Sequence, residues 1–468
     1  MERPMRNMLR KTSGRMSFHM PATGGRAPFQ GFHPYRWDTT ELSVTDDLYH
    51  PRESLGPIAA AQGLAAASAG AAHTLMLPGG GTAGIHTMLL YAAKRGETVV
   101  LPRNCHASTL NICAMAGLEP VFTATSYTSH GRAYTGAEAY KDAMERHPRA
   151  KAVLVVRPDY YGLLTDLQAI AREARRHGML VLCDEAHGAT FNWRGDVPNA
   201  ISLGADLAVQ SAHKTLPVLT PGAWLHGGSS IDIRRLRGLL RLVQTSSPSF
   251  VTMLSLDEAR AWMDACGERV CTRLREALPR FYAAAERLGY NPGQDDAPPG
   301  LAYDPLRLVL RPPHRGSYSG FALEEALRRQ GVDMEMADEG CVVGILPLQG
   351  GGVRLSKLLR ALQRIGWPER GVQGPQPPFS PAPPPGDPNR VLSLGEAVFA
   401  PSEPIPITRA VGRVSATNVG RYPPGTAFLT AGEELAPDMA VFLASQDPAR
   451  LFGLTDQGDL PCVREIEA

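Results

Sequence analysis

Short apolar runs, each ending on a polar segment able to do chemistry, limit what this chain can fold into more than any other feature. Between residues 71 and 228 the runs are Thr98-Val99-Val100-Leu101, Pro120-Val121-Phe122, Ala152-Val153-Leu154-Val155-Val156, Met179-Leu180-Val181-Leu182-Cys183 and Ala205-Asp206-Leu207-Ala208-Val209-Gln210. They read as buried strands, and residues 109–116, 136–146 and 166–177 between them read as helices. That alternation is the pattern of an α/β unit with a mostly parallel sheet covered on both faces. Residues 231–244 and 257–288 read as helices leading out of it. Residues 306–310, 320–330, 332–336 and 342–346 suggest a smaller α/β domain. The proline-rich stretch 374–385 cannot sustain a helix or a central strand and serves as a linker. The expected division is an N-terminal segment (1–50), a large domain (51–290), a small α/β domain (291–370), a Pro-rich linker (371–390) and a C-terminal domain (391–468). No internal repeats are visible.

Two of the runs end on complementary chemistry. One delivers Asp184-Glu185-Ala186-His187, the other Ser211-Ala212-His213-Lys214-Thr215. A carboxylate and an amine at neighbouring strand ends suit pyridoxal phosphate (PLP). The lysine serves as Schiff-base partner, and the aspartate keeps the pyridine nitrogen protonated so that the ring accepts electrons. Taken alone, the same residues are an exposed lysine and a strand-end acid; the neighbouring segments decide between the readings.

Pro78-Gly79-Gly80-Gly81-Thr82-Ala83-Gly84 joins an apolar run to a helical stretch, which makes a phosphate cradle of free backbone N–H groups and a helix dipole. It fits G-x-G-x-x-G literally, yet no acidic residue follows about 20 positions later to hold a ribose. It also lacks the lysine of a P-loop. A plain tight turn is the alternative. Asn104-Cys105-His106-Ala107-Ser108 ends another strand, where an imidazole could stack on a pyridine ring or simply cap a helix. Arg157-Pro158-Asp159-Tyr160-Tyr161-Gly162 ends the next. Ligands of open α/β sheets bind at this carboxyl edge.

Composition narrows the partners. With 43% hydrophobic and 20% charged residues and a formal charge of +2, nothing points to nucleic acid or an acidic surface. Seven cysteines without a C-x-x-C pair, and Cys266 and Cys271 far from histidine clusters, give no zinc site and fit reduced thiols in a cytoplasmic protein. The Arg- and Met-rich residues 1–20 lack the apolar core of a secretory signal. The Ala-rich tract 56–77, interrupted by Gln62 and His73, reads as a packed helix, and no membrane span is expected.

Together these segments resemble the Orn/Lys/Arg decarboxylases, fold-type I PLP enzymes, in their short bacterial form. Ser-Ala-His-Lys-Thr-Leu-Pro (211–217) followed by Leu219-Thr220 carries the resemblance most specifically. Asp184-Glu185-Ala186-His187-Gly188-Ala189 and Pro102-Arg103-Asn104-Cys105-His106 support it. Weaker matches are Phe18-His19-Met20-Pro21, Asp46-Asp47-Leu48, Asp304-Pro305, Glu335-Met336-Ala337-Asp338, Tyr422-Pro423-Pro424-Gly425 and Gly432-Glu433. The resemblance implies an aspartate-aminotransferase-like large domain, a small α/β domain and a C-terminal domain. It implies Lys214 as Schiff-base lysine, Asp184 on the pyridinium nitrogen, His106 stacked on the ring and His187 beside it. Ser211, His213 and the Gly81-Thr82-Ala83 turn would hold the phosphate. A homodimer with its active site at the interface, or a higher oligomer, is likewise implied. The chain departs from the family at Pro21-Ala22-Thr23-Gly24, where the family has Pro-Gly-His-Lys, and at 79–85, where two asparagines and a serine of the phosphate turn are missing.

The expected activity is decarboxylation of lysine, arginine or ornithine, with Glu335, Asp338 and Glu433 as acidic candidates for the substrate cation. Another fold-type I reaction, transamination or aldol-type cleavage, and a non-catalytic regulatory relative are the alternatives.

Overall fold

The computed structural model describes residues 2–12, 56–128, 132–293, 297–298, 300–313, 318–367, 384–386, 388–422 and 425–464. The motifs at 18–24 and 46–48, Pro423-Pro424 and nearly all of the Pro-rich linker lie outside the described residues.

Seven strands make the large sheet: β1 (His73–Leu77), β2 (Thr98–Leu101), β3 (Glu119–Phe122), β4 (Ala152–Val156), β5 (Leu180–Asp184), β6 (Leu207–Gln210) and β7 (Ala223–Gly227). Their order is β1-β7-β6-β5-β4-β2-β3. Neighbours from β6 to β3 pair in parallel, and β7 runs antiparallel to both β6 and β1. The strand interiors are buried, which is why they read as continuous apolar runs rather than alternating ones. Helices α1 (Pro4–Thr12), α2 (Pro57–Ala69), α3 (Gly80–Ala92), α4 (Ala107–Ala116), α5 (Ala137–Arg146) and α6 (Leu167–Arg176) belong to this part of the chain. After β6 come the one-turn helix α7 (Ala212–Thr215), then α8 (Ile233–Val243) and the 37-residue α9 (Phe250–Glu286).

Three expected boundaries move. The tract 56–77 is not one helix: Gly70 takes a left-handed conformation (φ 62°) that stops α2, and His73–Leu77 becomes β1. Helix α9 begins seven residues before the expected 257, because the Ser249 side chain accepts from the Thr252 N–H and caps it there. The glycine-rich turn is shorter than expected, since Gly80 and Gly81 already belong to the first turn of α3.

A second, antiparallel sheet carries β8 (Asn291–Pro292), β9 (Arg307–Arg311), β10 (Met336–Ala337) and β11 (Val342–Ile345) in the order β8-β9-β11-β10, with helices α10 (Gly320–Arg329) and α11 (Gly351–Arg364). The C-terminal unit holds α12 (Leu394–Phe399), α13 (Pro437–Ala444) and two small sheets. It has a core of its own, built around Val419, Leu429, Leu435, Met439, Phe442 and Leu460. No helix among the described residues is long and apolar enough to cross a membrane.

Because β1 to β6 point the same way, β1, β2, β4, β5 and β6 deliver Gly79, Pro102, Arg157, Glu185 and Ser211 to one edge of the sheet. Helix α3 is pressed onto that sheet at Gly84, where a Cβ would sit 2.5 Å from Val209 Cγ2 and 2.8 Å from Leu77 Cδ1. Gly84→Ala should therefore cost about 1–3 kcal/mol through overpacking. Denaturant unfolding at an unchanged m-value measures it; an unchanged midpoint would contradict the close helix–sheet approach.

Candidate active site

Lys214 lies on α7, one turn beyond the end of β6. Its Nζ is 3.2 Å from His187 Nε2. Burial holds this amine below the ordinary lysine range; Asp184 and Glu335 oppose that shift, and Arg307 adds to it. Asp184 is the last residue of β5 and is buried, with Oδ1 accepting from the Ala186 N–H at 3.1 Å. The charges of Asp184 and Lys214 both act on His106, in opposite directions, so the three groups share one site. His106 also caps α4, its Nδ1 accepting from the Ser108 N–H at 3.2 Å. The capping reading of this histidine is therefore realised.

His187 is buried, and desolvation, with Lys214 next, holds its pKa well below the usual imidazole range. It is a neutral ring, packed edge-on against Tyr160 with centroids 4.8 Å apart. The Tyr160 hydroxyl donates to Glu335 Oε1 at 2.5 Å, so Glu335, an exposed carboxylate of the small-sheet unit, reaches the rim of the Lys214 site.

The phosphate-cradle candidates also meet. A Cβ on Gly81 would collide with Ser211 Oγ, so only glycine lets the start of α3 lie this close to the end of β6. Thr82 follows in the same first turn, whose N–H groups have no partner within the helix, and Ala83 comes next. His213 Nδ1 is 2.9 Å from the Gly222 carbonyl and donates to it, which leaves Nε2 as the atom available to a ligand.

Three buried polar atoms on the segments that carry these residues, His187 Nδ1, Asn104 Oδ1 and Thr215 Oγ1, have no hydrogen-bond partner among the described residues. Such atoms are rare in folded proteins and mark a place where a polar group fits. Amine, carboxylate, two imidazoles and a glycine-lined helix start match what pyridoxal phosphate requires.

Two of the three acidic candidates for a substrate cation are corrected. Asp338 is buried and fully engaged: Oδ1 accepts from the Gly340 and Cys341 N–H groups, each at 2.7 Å, and Oδ2 accepts from the Tyr161 hydroxyl at 2.8 Å. Glu433 is buried against two guanidinium groups, with Arg103 at 2.9 Å and Arg390 at 3.5 Å. Each carboxylate is engaged by groups of this chain, Asp338 by its own loop and Tyr161, Glu433 by Arg103 and Arg390. Glu335 remains.

Several site residues escape sequence reasoning. Arg307, at the start of β9, is buried; its charge acts on Lys214 and His187, and Glu335 acts on it. Its signal was Arg307 and Arg311 bracketing an apolar run on one strand face. Under the sheet edge runs a polar chain. The Thr74 hydroxyl donates to His226 Nδ1 (2.7 Å), and His226 Nε2–H to Gln210 Oε1 (3.0 Å). Gln210 Nε2 donates to Glu185 Oε2 (2.7 Å), while Glu185 Oε1 accepts from the Ala200 N–H (2.8 Å). This chain ties β1, β7, β6 and β5 together directly beneath Asp184. Burial alone keeps His226 neutral, with its pKa pushed down to about 3. Polar residues inside apolar strands were the available signal.

The large domain has the fold of the fold-type I PLP enzymes. Residues 11–288 match the Orn/Lys/Arg decarboxylase major domain. The uncharacterized protein YaaO of Bacillus subtilis is 35% identical over 413 residues, spanning 86% of this chain and 83% of YaaO. An arginine decarboxylase of Bacillus anthracis is 29% identical over 447 residues, 92% of this chain and 87% of that one. Among solved structures, the constitutive lysine decarboxylase of E. coli superposes with a TM-score of 0.83 at 18% identity, covering 99% of this chain and 82% of that one. The chain belongs to the Orn/Lys/Arg decarboxylase family.

The electrostatics give a pH test on the protein alone. Lys214 should acylate with a midpoint below the ~10.4 of a free lysine, since the folded site disfavours its charged form. Asp184→Asn should lower that midpoint further, and Arg307→Gln should raise it. Peptide mapping after pulsed acetic anhydride labelling across pH reads all three; a Lys214 that titrates like a surface lysine contradicts the site.

Proposed function

We propose that the chain is a PLP-dependent decarboxylase of a basic amino acid: lysine, arginine or ornithine. The observation that carries this reading is the convergence of Lys214, Asp184, His106 and the Gly81–Ser211 cradle on one sheet edge, with Glu335 at its rim.

When bound, pyridoxal phosphate supplies an electron sink for the pair left behind as the bond from Cα to the carboxylate breaks. Lys214, with its charged form disfavoured by burial, would hold the cofactor through its amine. Asp184 would keep a proton on the pyridine nitrogen, and His106 would lie against the ring. Ser211 and the Gly81-Thr82-Ala83 turn would cradle the phosphate, with His213 Nε2 beside them. Neutral His187, hydrogen-bonded to the lysine amine, is placed to pass a proton to or from Nζ. Glu335, oriented by the Tyr160 hydroxyl, accepts the distal ammonium or guanidinium of the substrate. Arg307 supplies the opposite charge for the α-carboxylate. A glutamate substrate would meet repulsion at Glu335. Assembly as a homodimer and residence in the cytoplasm belong to the same reading.

Reduction with borohydride should fix the cofactor on Lys214 alone, and Lys214→Ala should lose both the adduct and turnover while still folding. Incubated with lysine, arginine, ornithine, glutamate and tyrosine in competition, the holoenzyme should release carbon dioxide and the amine fastest from a cationic substrate. An adduct on another lysine, a preference for glutamate or tyrosine, or keto-acid products would each contradict this function.

A further inference from the structure

Glu433 belongs to the C-terminal unit, yet one of its partners, Arg103, lies on the edge of the large sheet. It is 1% exposed. Arg103 grips it with both terminal nitrogens, Nη2 to Oε1 at 2.9 Å and Nη1 to Oε2 at 3.3 Å. Arg390 Nη2 stands 3.5 Å from Oε1. The Thr430 N–H donates to Oε2 at 2.7 Å, and Arg390 donates to the Thr430 hydroxyl (2.9 Å) and the Ala431 carbonyl (3.0 Å). The Arg103 guanidinium lies over the Phe122 ring at 4.4 Å, fixed on one side by an aromatic face and on the other by a carboxylate fork.

Arg103 sits three residues before His106, in the turn Pro102-Arg103-Asn104-Cys105 that ends β2. The same unit also braces the helix His106 caps. A Cβ on Gly395 of α12 would lie 2.8 Å from the Ala114 carbonyl of α4, so the two helices are in close contact. The Ala427 N–H, at the start of the hairpin strand Thr426–Leu429, reaches the Arg103 carbonyl at 3.4 Å. An apolar contact could hold two units together as firmly as a buried ion pair does. What a bidentate fork adds is a fixed orientation of the turn that carries the arginine.

We infer that Glu433 is a positioning residue for the cofactor site: through Arg103, the C-terminal unit sets the placement of the His106 imidazole against the cofactor ring. This rests on the PLP reading of the site. It gives the C-terminal unit a part in the chemistry without any atom of Glu433 touching the substrate.

A double-mutant cycle on the holoenzyme tests it, reading the PLP dissociation constant and the visible circular dichroism of the bound cofactor. Glu433→Gln should weaken PLP on the order of tenfold and change the dichroic band. In a His106→Ala background the same substitution should weaken PLP by less than about twofold, because the group it positions is gone. Arg103→Lys, which keeps the charge and loses the fork, should reproduce this pattern and provides the reading if Glu433→Gln does not fold. Equal losses in both backgrounds would overturn the positioning role and leave the PLP reading standing. A His106→Ala protein that binds PLP with wild-type affinity and dichroism would remove His106 from the site, and this inference with it.

Discussion

Strands that run in parallel place all their carboxyl ends along one edge of a sheet, and here that edge collects the residues that can do chemistry. β1 leads into Gly79, β2 into Arg103 and His106, β4 into Arg157 and Tyr160, β5 ends on Asp184, and β6 leads into Ser211 and Lys214. Nothing in the individual loops brings these residues together; the common strand direction does. The register is held from below by a polar relay, Thr74–His226–Gln210–Glu185, that crosses four strands inside the apolar layer. Buried polar chains are costly when any member lacks a partner. This one tolerates little sliding between strands, and so keeps Asp184 and Lys214 in fixed relation.

That fixed relation shapes the electrostatics. Desolvation is the largest influence on Lys214 and on His187, and in both it disfavours the proton-bearing form. Asp184 pulls the other way on the lysine. The balance leaves an amine whose charged form is disfavoured by burial yet still attracted to an acidic neighbour. Arg307 and Glu335, both from the small-sheet unit, add one charge of each sign to the rim, so the two units share a site that neither forms alone.

Much of this was legible in the sequence, for a physical reason. Buried parallel strands need uninterrupted apolar runs, and those runs point to the residues that follow them; Asp184, Lys214, His106 and the glycine turn were found that way. Charges whose partners lie far along the chain were not legible. Glu433 meets Arg103 across 330 residues, and Asp338 meets Tyr161 across 177. No local pattern separates such a carboxylate from an exposed one such as Glu335. The boundary between α2 and β1 was hidden for another reason: the strand follows an alanine-rich helix without a change in hydrophobicity, and only Gly70 marks the break.

The account stands on Asp184 keeping a proton on the ring nitrogen of a cofactor bound at Lys214. The 15N chemical shift of PLP labelled at its pyridine nitrogen, bound to the intact protein, reports this directly. A protonated nitrogen across the pH range in which the protein stays folded, lost in Asp184→Asn while the cofactor remains bound, is the predicted result. An unprotonated nitrogen in the unaltered protein, or a signal indifferent to Asp184→Asn, would contradict it.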